Sequence, residues 1–515
     1  MSVEMPAAIG GLPFFPLEFD KQQRLVDPTQ VTALRDHVRD AAVTDLLVVS
    51  HGWNNDLAEA LALYAELVGN VASRSRGPWD GRAVAVVGVF WPSQRFTDEE
   101  LIPGGAASLG GDVPTAALHA RLQELRGFFD DPADDSADEA ADEILAELEA
   151  LVPRLETSED ARRDFGAGVL RLLQTGGDAE VEDEVPDGLA DLDGAELLEE
   201  LARPTDEELA AIGVGPRGGE DEDQGDDEGG IAVEPSGGIA AGPGGLGIGG
   251  AASAGGDEAG GAAGGVASGF GAPASGGVAA GAAAPLDDAG GAAFLGSAFA
   301  GMRAGARNAL NLATYWTMKR RAGDTGRRGL APVLRQLRAD ADDLRLHLVG
   351  HSFGGRLVAA AALGEDDGDP ALPVESLTLL QAAFSHNGFG ERVHRGRDGY
   401  FVEVLRQQRV RGPIVVTHTH NDHANRWAYP MASRLSRDRT ANFGTASDDF
   451  GAIGSNGAQR AAIARFDTMH GLDGVYADLG PGQLRNLRAD AFISDHGDVK
   501  GVEVAHLVVS VVAAT

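Results

Sequence analysis

The apolar residues of this chain fall into short unbroken runs separated by stretches with a helical period. Asp45-Leu46-Leu47-Val48-Val49-Ser50 is one such run. Ala83 to Phe90, Leu344 to Val349, Leu377 to Leu380 and Pro413 to Thr417 are others. A run of this length predicts a strand buried on both faces. Between the runs, Thr29 to Ala41, Leu57 to Ala72, Leu330 to Ala341, Arg356 to Leu363 and Val402 to Gln408 read as helices. Alternation of this kind predicts an α/β fold, a mostly parallel sheet flanked by helices. Leu12 to Val26 predicts an edge hairpin. The sheet is split in sequence: its early strands precede Trp91, and its later ones follow about Leu330.

The material between the two halves has other patterns. Ala116 to Ile212 is helical in period, and Ile144, Leu145 and Leu148 share one face. Thr205-Asp206-Glu207-Glu208 reads as a helix start, with acids in the first turn. From Gly213 to Gly290 roughly one residue in three is Gly, without a triplet period. Such a stretch buries too little apolar surface to offset its ordering entropy, and reads as a disordered, flexible linker. The expected organisation is a discontinuous α/β domain over 1–91 and 300–515. An acidic helical insertion at 92–212, expected as a cap, and a linker at 213–299 interrupt it. Asn308 to Arg321, with Leu310, Leu312, Ala313 and Trp316, predicts an amphipathic helix that packs the returning chain on the sheet.

Composition sharpens this division. The 515 residues carry 79 acidic and 42 basic side chains, a net charge of -37. Asp130 to Glu228 alone holds roughly 35 acids and 6 bases, so most of the charge belongs to the insertion. That acid reads as a solvated face, with a protein partner of the insertion left open. The overall charge argues against nucleic acid as a partner and against stable anchoring on anionic membranes. The absence of Cys removes thiol nucleophiles, disulfides and Cys-ligated zinc. Met1 to Asp20 lacks a signal-peptide pattern, and no run of about 18 apolar residues occurs, so a cytoplasmic location is expected.

Candidate chemistry sits at two strand ends. Leu346-His347-Leu348-Val349-Gly350-His351-Ser352-Phe353-Gly354 ends a strand in Gly-x-Ser-x-Gly and opens a helix. A sharp turn there holds a serine in a strained conformation with its oxygen exposed, and Gly350 and Gly354 remove colliding side chains. A serine hydroxyl needs a base, an orienter and oxyanion donors before it is a useful nucleophile. Ser50-His51-Gly52-Trp53-Asn54-Asn55 follows an earlier strand. Its His51-Gly52 pair supplies a flexible backbone, and the N–H groups of Trp53 and Phe353 are assigned as the oxyanion hole.

On these motifs the chain resembles the α/β-hydrolase superfamily of serine hydrolases, over roughly Leu46 to Trp91 and Asn308 to Val512. The resemblance implies the α/β-hydrolase fold with eight strands and a nucleophile, acid and histidine in that chain order. It implies Ser352 as nucleophile. It implies Asp422 as acid, after Pro413 to Thr417, with Asp449 as the alternative. It implies His496 as base near the C-terminus, with His470 and His506 as alternatives. Phe384, His386, Phe389, Trp427 and Tyr429 are pocket or core candidates. The implied reaction is acyl-bond cleavage in a small-molecule substrate, a carboxylic ester before a thioester or amide, without cofactor or metal. One motif competes. His418-x-His420-x-Asp422-His423 resembles the signature of metallo-β-lactamase-like dizinc hydrolases. Only about 90 residues follow it, and they do not resupply the remaining ligands. A non-catalytic interaction protein built around the acidic insertion is the third reading.

Overall fold

A computed structural model describes residues 3–53, 55–93, 113–129, 135–174, 192–203, 301–364, 372–393, 396–422 and 451–515. The expected linker, the Thr205 helix start, Asn54, His423, Trp427, Tyr429 and Asp449 lie outside the described residues.

The centre is a nine-stranded sheet: β1 (Ala8–Ile9), β2 (Leu12–Glu18), β3 (Asp45–Ser50), β4 (Val84–Phe90), β5 (Arg345–His351), β6 (Ser376–Leu380), β7 (Ile414–His418), β8 (Ala464–Thr468) and β9 (Leu484–Arg488). Their spatial order is β1-β2-β4-β3-β5-β6-β7-β9-β8. β1 is antiparallel to β2, and every other neighbouring pair is parallel. The expected N-terminal hairpin exists, but its partner strand lies upstream, at Ala8–Ile9. The five apolar runs all form strands. β8 and β9 raise the count above the expected eight, and charged Arg465, Asp467, Arg485 and Arg488 hid them from a reading based on apolar runs.

Both faces of the central strands are buried. Leu46, Val48, Val87, Leu346 and Leu348 join one core with α1 (Thr29–Asp40), α8 (Ala331–Asp340) and α9 (Phe353–Leu363). Leu47, Val49, Val86 and Val349 join a second core with α2 (Leu57–Arg74) and α12 (Val502–Ala513). Each fully buried side chain of this size stabilises the fold by about 1.5–3 kcal/mol relative to exposure. Asp56 caps α2 by accepting from the Ala58 and Glu59 N–H groups, while Glu59 accepts from the Asp56 N–H. This reciprocal capping fixes where the chain turns from the β3 loop into its helix.

The inserted segment contains α3 (Thr115–Glu124), α4 (Asp135–Leu151), α5 (Glu159–Gln174) and α6 (Gly194–Ala202), followed in the described chain by α7 (Met302–Asp324). α5 and α6 pack on α7, and α7 packs on α9. Leu118, Leu145, Leu148, Phe165, Leu198 and Leu201 therefore share one continuous core with α7 and the sheet face. The apolar face of the insertion is a third layer on the sheet. α7 itself is not amphipathic, because it is buried on nearly every side. Two of its buried polar residues are bonded internally: Asn308 donates to the Leu201 carbonyl at 2.8 Å, and Thr314 to that of Leu310 at 2.8 Å. Among the described residues no helix is long and apolar enough to cross a membrane.

At the amino ends of the strands, Asp45 is fully buried. It accepts from Arg82 at 2.6 Å, from Arg345 at 2.7 and 2.6 Å, and pairs with His347 Nε2 at 3.0 Å. Burial alone would raise its pKa, but the bonds from His347, Arg345 and Thr44 hold it far below the usual carboxylate range.

Candidate active site

β3 and β5 lie side by side, and the chain runs away from them in opposite directions, β4 on one flank and β6 on the other. The carboxyl end of such a switch point is a natural crevice. His51 and Ser352 are both at that end.

Ser352 has φ +55° and ψ -126°, in the left-handed region that costs a non-glycine residue about 1–3 kcal/mol. Three backbone bonds hold it there. Its N–H donates to Leu380 O at 3.1 Å, and its carbonyl accepts from Gly355 at 2.9 Å and Ala383 at 3.1 Å. Serine at the start of a helix ordinarily caps it, yet the Ser352 side chain makes no capping bond to α9. The turn needs its glycines for close approach. A Cβ on Gly350 would stand 2.2 Å from Gly354 O, and one on Gly354 would stand 2.4 Å from the carbonyls of Ser50 and His51. A Cβ on Gly52 would stand 2.6 Å from that of Ser352, so this glycine too is required by the serine behind it.

The two residues assigned to the oxyanion hole are neighbours. The Trp53 ring lies 5.7 Å from that of Phe353, and Tyr315 of α7 packs on both, at 6.0 and 5.0 Å. Phe353 opens α9, so its N–H belongs to the first turn, where helix amides have no intrahelical acceptor. His51 fixes this loop. Its Nε2 accepts from the Trp91 N–H at 3.4 Å, so Nδ1–H is the donor to Gly52 O at 2.8 Å. The Trp91 indole donates to His51 O at 3.0 Å and stacks on the ring. The His51 N–H donates to Tyr64 Oη at 2.8 Å, and Tyr64 in turn donates to Val89 O. Burial pulls the His51 pKa down to about 4 against the opposing Gly52 bond, so the imidazole is neutral.

Asp422 follows β7 and is fully buried. His496 lies between β9 and α12, and its Nδ1–H donates to Asp422 Oδ2 at 2.9 Å and Oδ1 at 3.0 Å. Desolvation alone would lower the His496 pKa. The charge of Asp422 and its hydrogen bond outweigh that, and the net shift is upward. With Nδ1 committed, Nε2 carries the lone pair. His351, next in sequence to Ser352, donates Nε2–H to His496 O at 2.7 Å, and the two rings lie 5.0 Å apart. Burial and the like-charged His496 depress the His351 pKa to about 3. Ser352 and His496 share no hydrogen bond among the described residues. Catalytic bonds of this kind often tighten only with substrate in place.

Gln381 was not legible in the sequence. It follows β6, is fully buried and has φ +45°. Its Oε1 accepts from Thr417 Oγ1 at 2.9 Å, while Nε2 donates to Gly454 O at 3.0 Å and faces Asp422 Oδ2 at 3.5 Å. Two acceptors at one end and a hydroxyl donor at the other fix the amide orientation, so an N–H is aimed at the acid.

The other named residues disperse. His418 is buried and packs edge-on to Phe466 at 6.0 Å, and burial depresses its pKa to about 4, opposed only in part by the nearby Ser455 backbone. His420 is exposed and pairs with Asp490 at 3.4 Å. With Asp422 committed to His496, the described members of the competing metal motif face three different partners. Among the described residues no group of three or more His, Asp or Glu is gathered for a metal ion. His470 and His506 pack around Tyr476, and His506 bonds to Gly474 O at 2.9 Å. Phe384 and Phe389 form a buried cluster with Phe401, and His386 is buried against Asn456 at 3.0 Å. These three are core residues.

No protein-family model, no curated protein and no solved structure matches the chain.

Proposed function

We propose that this chain is a serine hydrolase of the α/β-hydrolase type that cleaves acyl bonds, with carboxylic esters as the substrate class. The observation that carries this reading is the buried Asp422 carboxylate, 2.9 Å from His496 Nδ1, with His496 tied through His351 to a serine at φ +55°. In the proposed reaction Ser352 Oγ attacks the acyl carbon while His496 Nε2 takes its proton. The Trp53 and Phe353 N–H groups donate to the developing oxyanion. The ester C–O bond then breaks, and the imidazolium returns the proton to the departing alcohol. Water attacks the acyl-enzyme with His496 again as base, releasing the carboxylic acid and restoring Ser352. Asp422 holds the tautomer and stabilises the imidazolium without taking the proton.

The test is covalent labelling with a fluorophosphonate probe, wild type against Ser352→Ala. The expected result is labelling of the wild type alone, unchanged by a chelator. No labelling of the wild type, or equal labelling of both, would remove the reading. A panel of esters of graded acyl length then identifies the substrate.

A further inference from the structure

We propose that two copies of this chain associate through strand β8, in antiparallel register about Phe466, to join their sheets into one. The inference does not depend on the hydrolase reading. β8 is the last strand of the sheet. The Met469 N–H donates to Arg488 O at 2.9 Å, which sets the alternation of the parallel ladder. Arg465 and Asp467 therefore turn their backbone groups toward β9, and Ala464, Phe466 and Thr468 turn theirs outward. Three of the outward groups are occupied locally, the first being the Ala464 N–H, which donates to Ala461 O at 3.0 Å. Ala464 O accepts from Arg465 Nη1 at 3.0 Å, and Asp467 Oδ1 accepts from the Thr468 N–H at 2.8 Å. The N–H and C=O of Phe466 have no partner among the described residues.

An unpaired edge is a template for another strand. Three features select a second copy of this chain as the occupant. First, apolar exposure is concentrated here. Of the six exposed large apolar residues among those described, Ile463, Phe466 (55%), Leu472 and Val475 (78%) lie within thirteen positions. Second, the strand is self-complementary in charge. With Phe466 opposite Phe466 of the second copy, the two exchange both backbone bonds. Arg465 of each copy then faces Asp467 of the other, at the non-hydrogen-bonded positions where side chains approach most closely. Both charged residues are exposed, and neither forms an ion pair among the described residues. Third, the edge escapes the repulsion expected of so acidic a chain. Residues 451–490 hold four Arg, four Asp and no Lys or Glu. A two-fold axis makes such a contact closed, so association stops at two.

Sedimentation of the full chain tests the proposal. The wild type is expected to be a dimer that dissociates on dilution. Arg465→Asp and Asp467→Arg each turn two attractions into repulsions, and each should weaken the dimer about tenfold or more. The double exchange Arg465→Asp with Asp467→Arg should restore it. An equimolar mixture of the two single variants should also form heterodimers, because Asp then faces Arg at both positions. A monomeric wild type, a dimer indifferent to both reversals, or a mixture that stays monomeric would overturn the proposal. Circular dichroism confirms that each exposed substitution leaves the fold intact.

Discussion

The two ends of the sheet each carry a buried aspartate bonded to a histidine, and they are opposite in character. At the amino ends, Asp45 and His347 meet at 3.0 Å. Two guanidinium groups neutralise the acid, and the remaining His347 nitrogen is consumed by Ser376 Oγ at 2.9 Å. Burial lowers the His347 pKa despite the neighbouring acid. At the carboxyl ends, Asp422 and His496 meet at 2.9 Å, and the acid's charge and bond shift the histidine upward. His496 is also partly open to solvent, whereas His347 is closed. An Asp–His pair is thus made structural or reactive by its second partners. Charge neutralised by arginine and a ring with both nitrogens bonded give a clamp. An acid bonded to one imidazole nitrogen, and a ring whose other nitrogen has no bond among the described residues, suit the proposed role of base.

Ser352→Ala is the strongest test of that contrast: it should abolish fluorophosphonate labelling while leaving the melting temperature near that of the wild type. Asp422→Asn should slow labelling by about 10⁴-fold, because His496 would then adopt the wrong tautomer. Asp45→Asn should leave labelling of the folded protein within about twofold. It should nevertheless cost about 1.5–3 kcal/mol in urea unfolding, since it removes the buried charged acceptor shared by two partly exposed guanidinium groups. Equal loss of labelling from both asparagine variants would dissolve the distinction between the two ends. His351→Phe removes the bond that ties His496 to the serine turn, and labelling should fall about 10- to 100-fold at unchanged stability.

The smallest effect is in pH. His496 must be neutral to act, so labelling should be full at high pH and decline as pH falls through a midpoint displaced above 6.5. Stability should be lost later on acidification. His51 and His351 titrate near 6.5 when unfolded but only at about 4 and 3 when folded, so the unfolded chain binds more protons below 6.5 and stability drains from there downward. Labelling followed beside circular dichroism separates the two. A labelling midpoint below 6.5 would count against Asp422 as the partner that sets the base.

The central strands were legible because both of their faces are buried, which makes runs such as Leu46 to Val49 continuous. The Gly-His-Ser-x-Gly turn was legible for a related reason, since close backbone approach admits only glycine at 350 and 354. β8 was hidden because an edge strand has one solvated side and tolerates Arg465 and Asp467, and β9, between β7 and β8, because half-buried Arg485 and exposed Arg488 break up its apolar run. α7 was misread as amphipathic because its polar residues face other buried groups. Gln381 had no signal at all. Its role rests on β6 lying between β5 and β7, which sets its amide beside an acid 41 positions later.

The pairing of β3 with β5 also sets a timetable. Asp45 and Arg345, bonded partners, are 300 residues apart in the chain. At a synthesis rate of about 5–20 residues per second, β3 waits about 15–60 s on the ribosome before the strand that covers its second edge exists. Through that interval Leu46 to Val49 present an apolar strand with an open side. Once the chain is complete, closing so long a loop adds little to the free-energy cost, because that cost grows only with the logarithm of length. The burden of the insertion therefore falls on the nascent chain, as a period of exposure to chaperones and aggregation, and hardly at all on the finished fold.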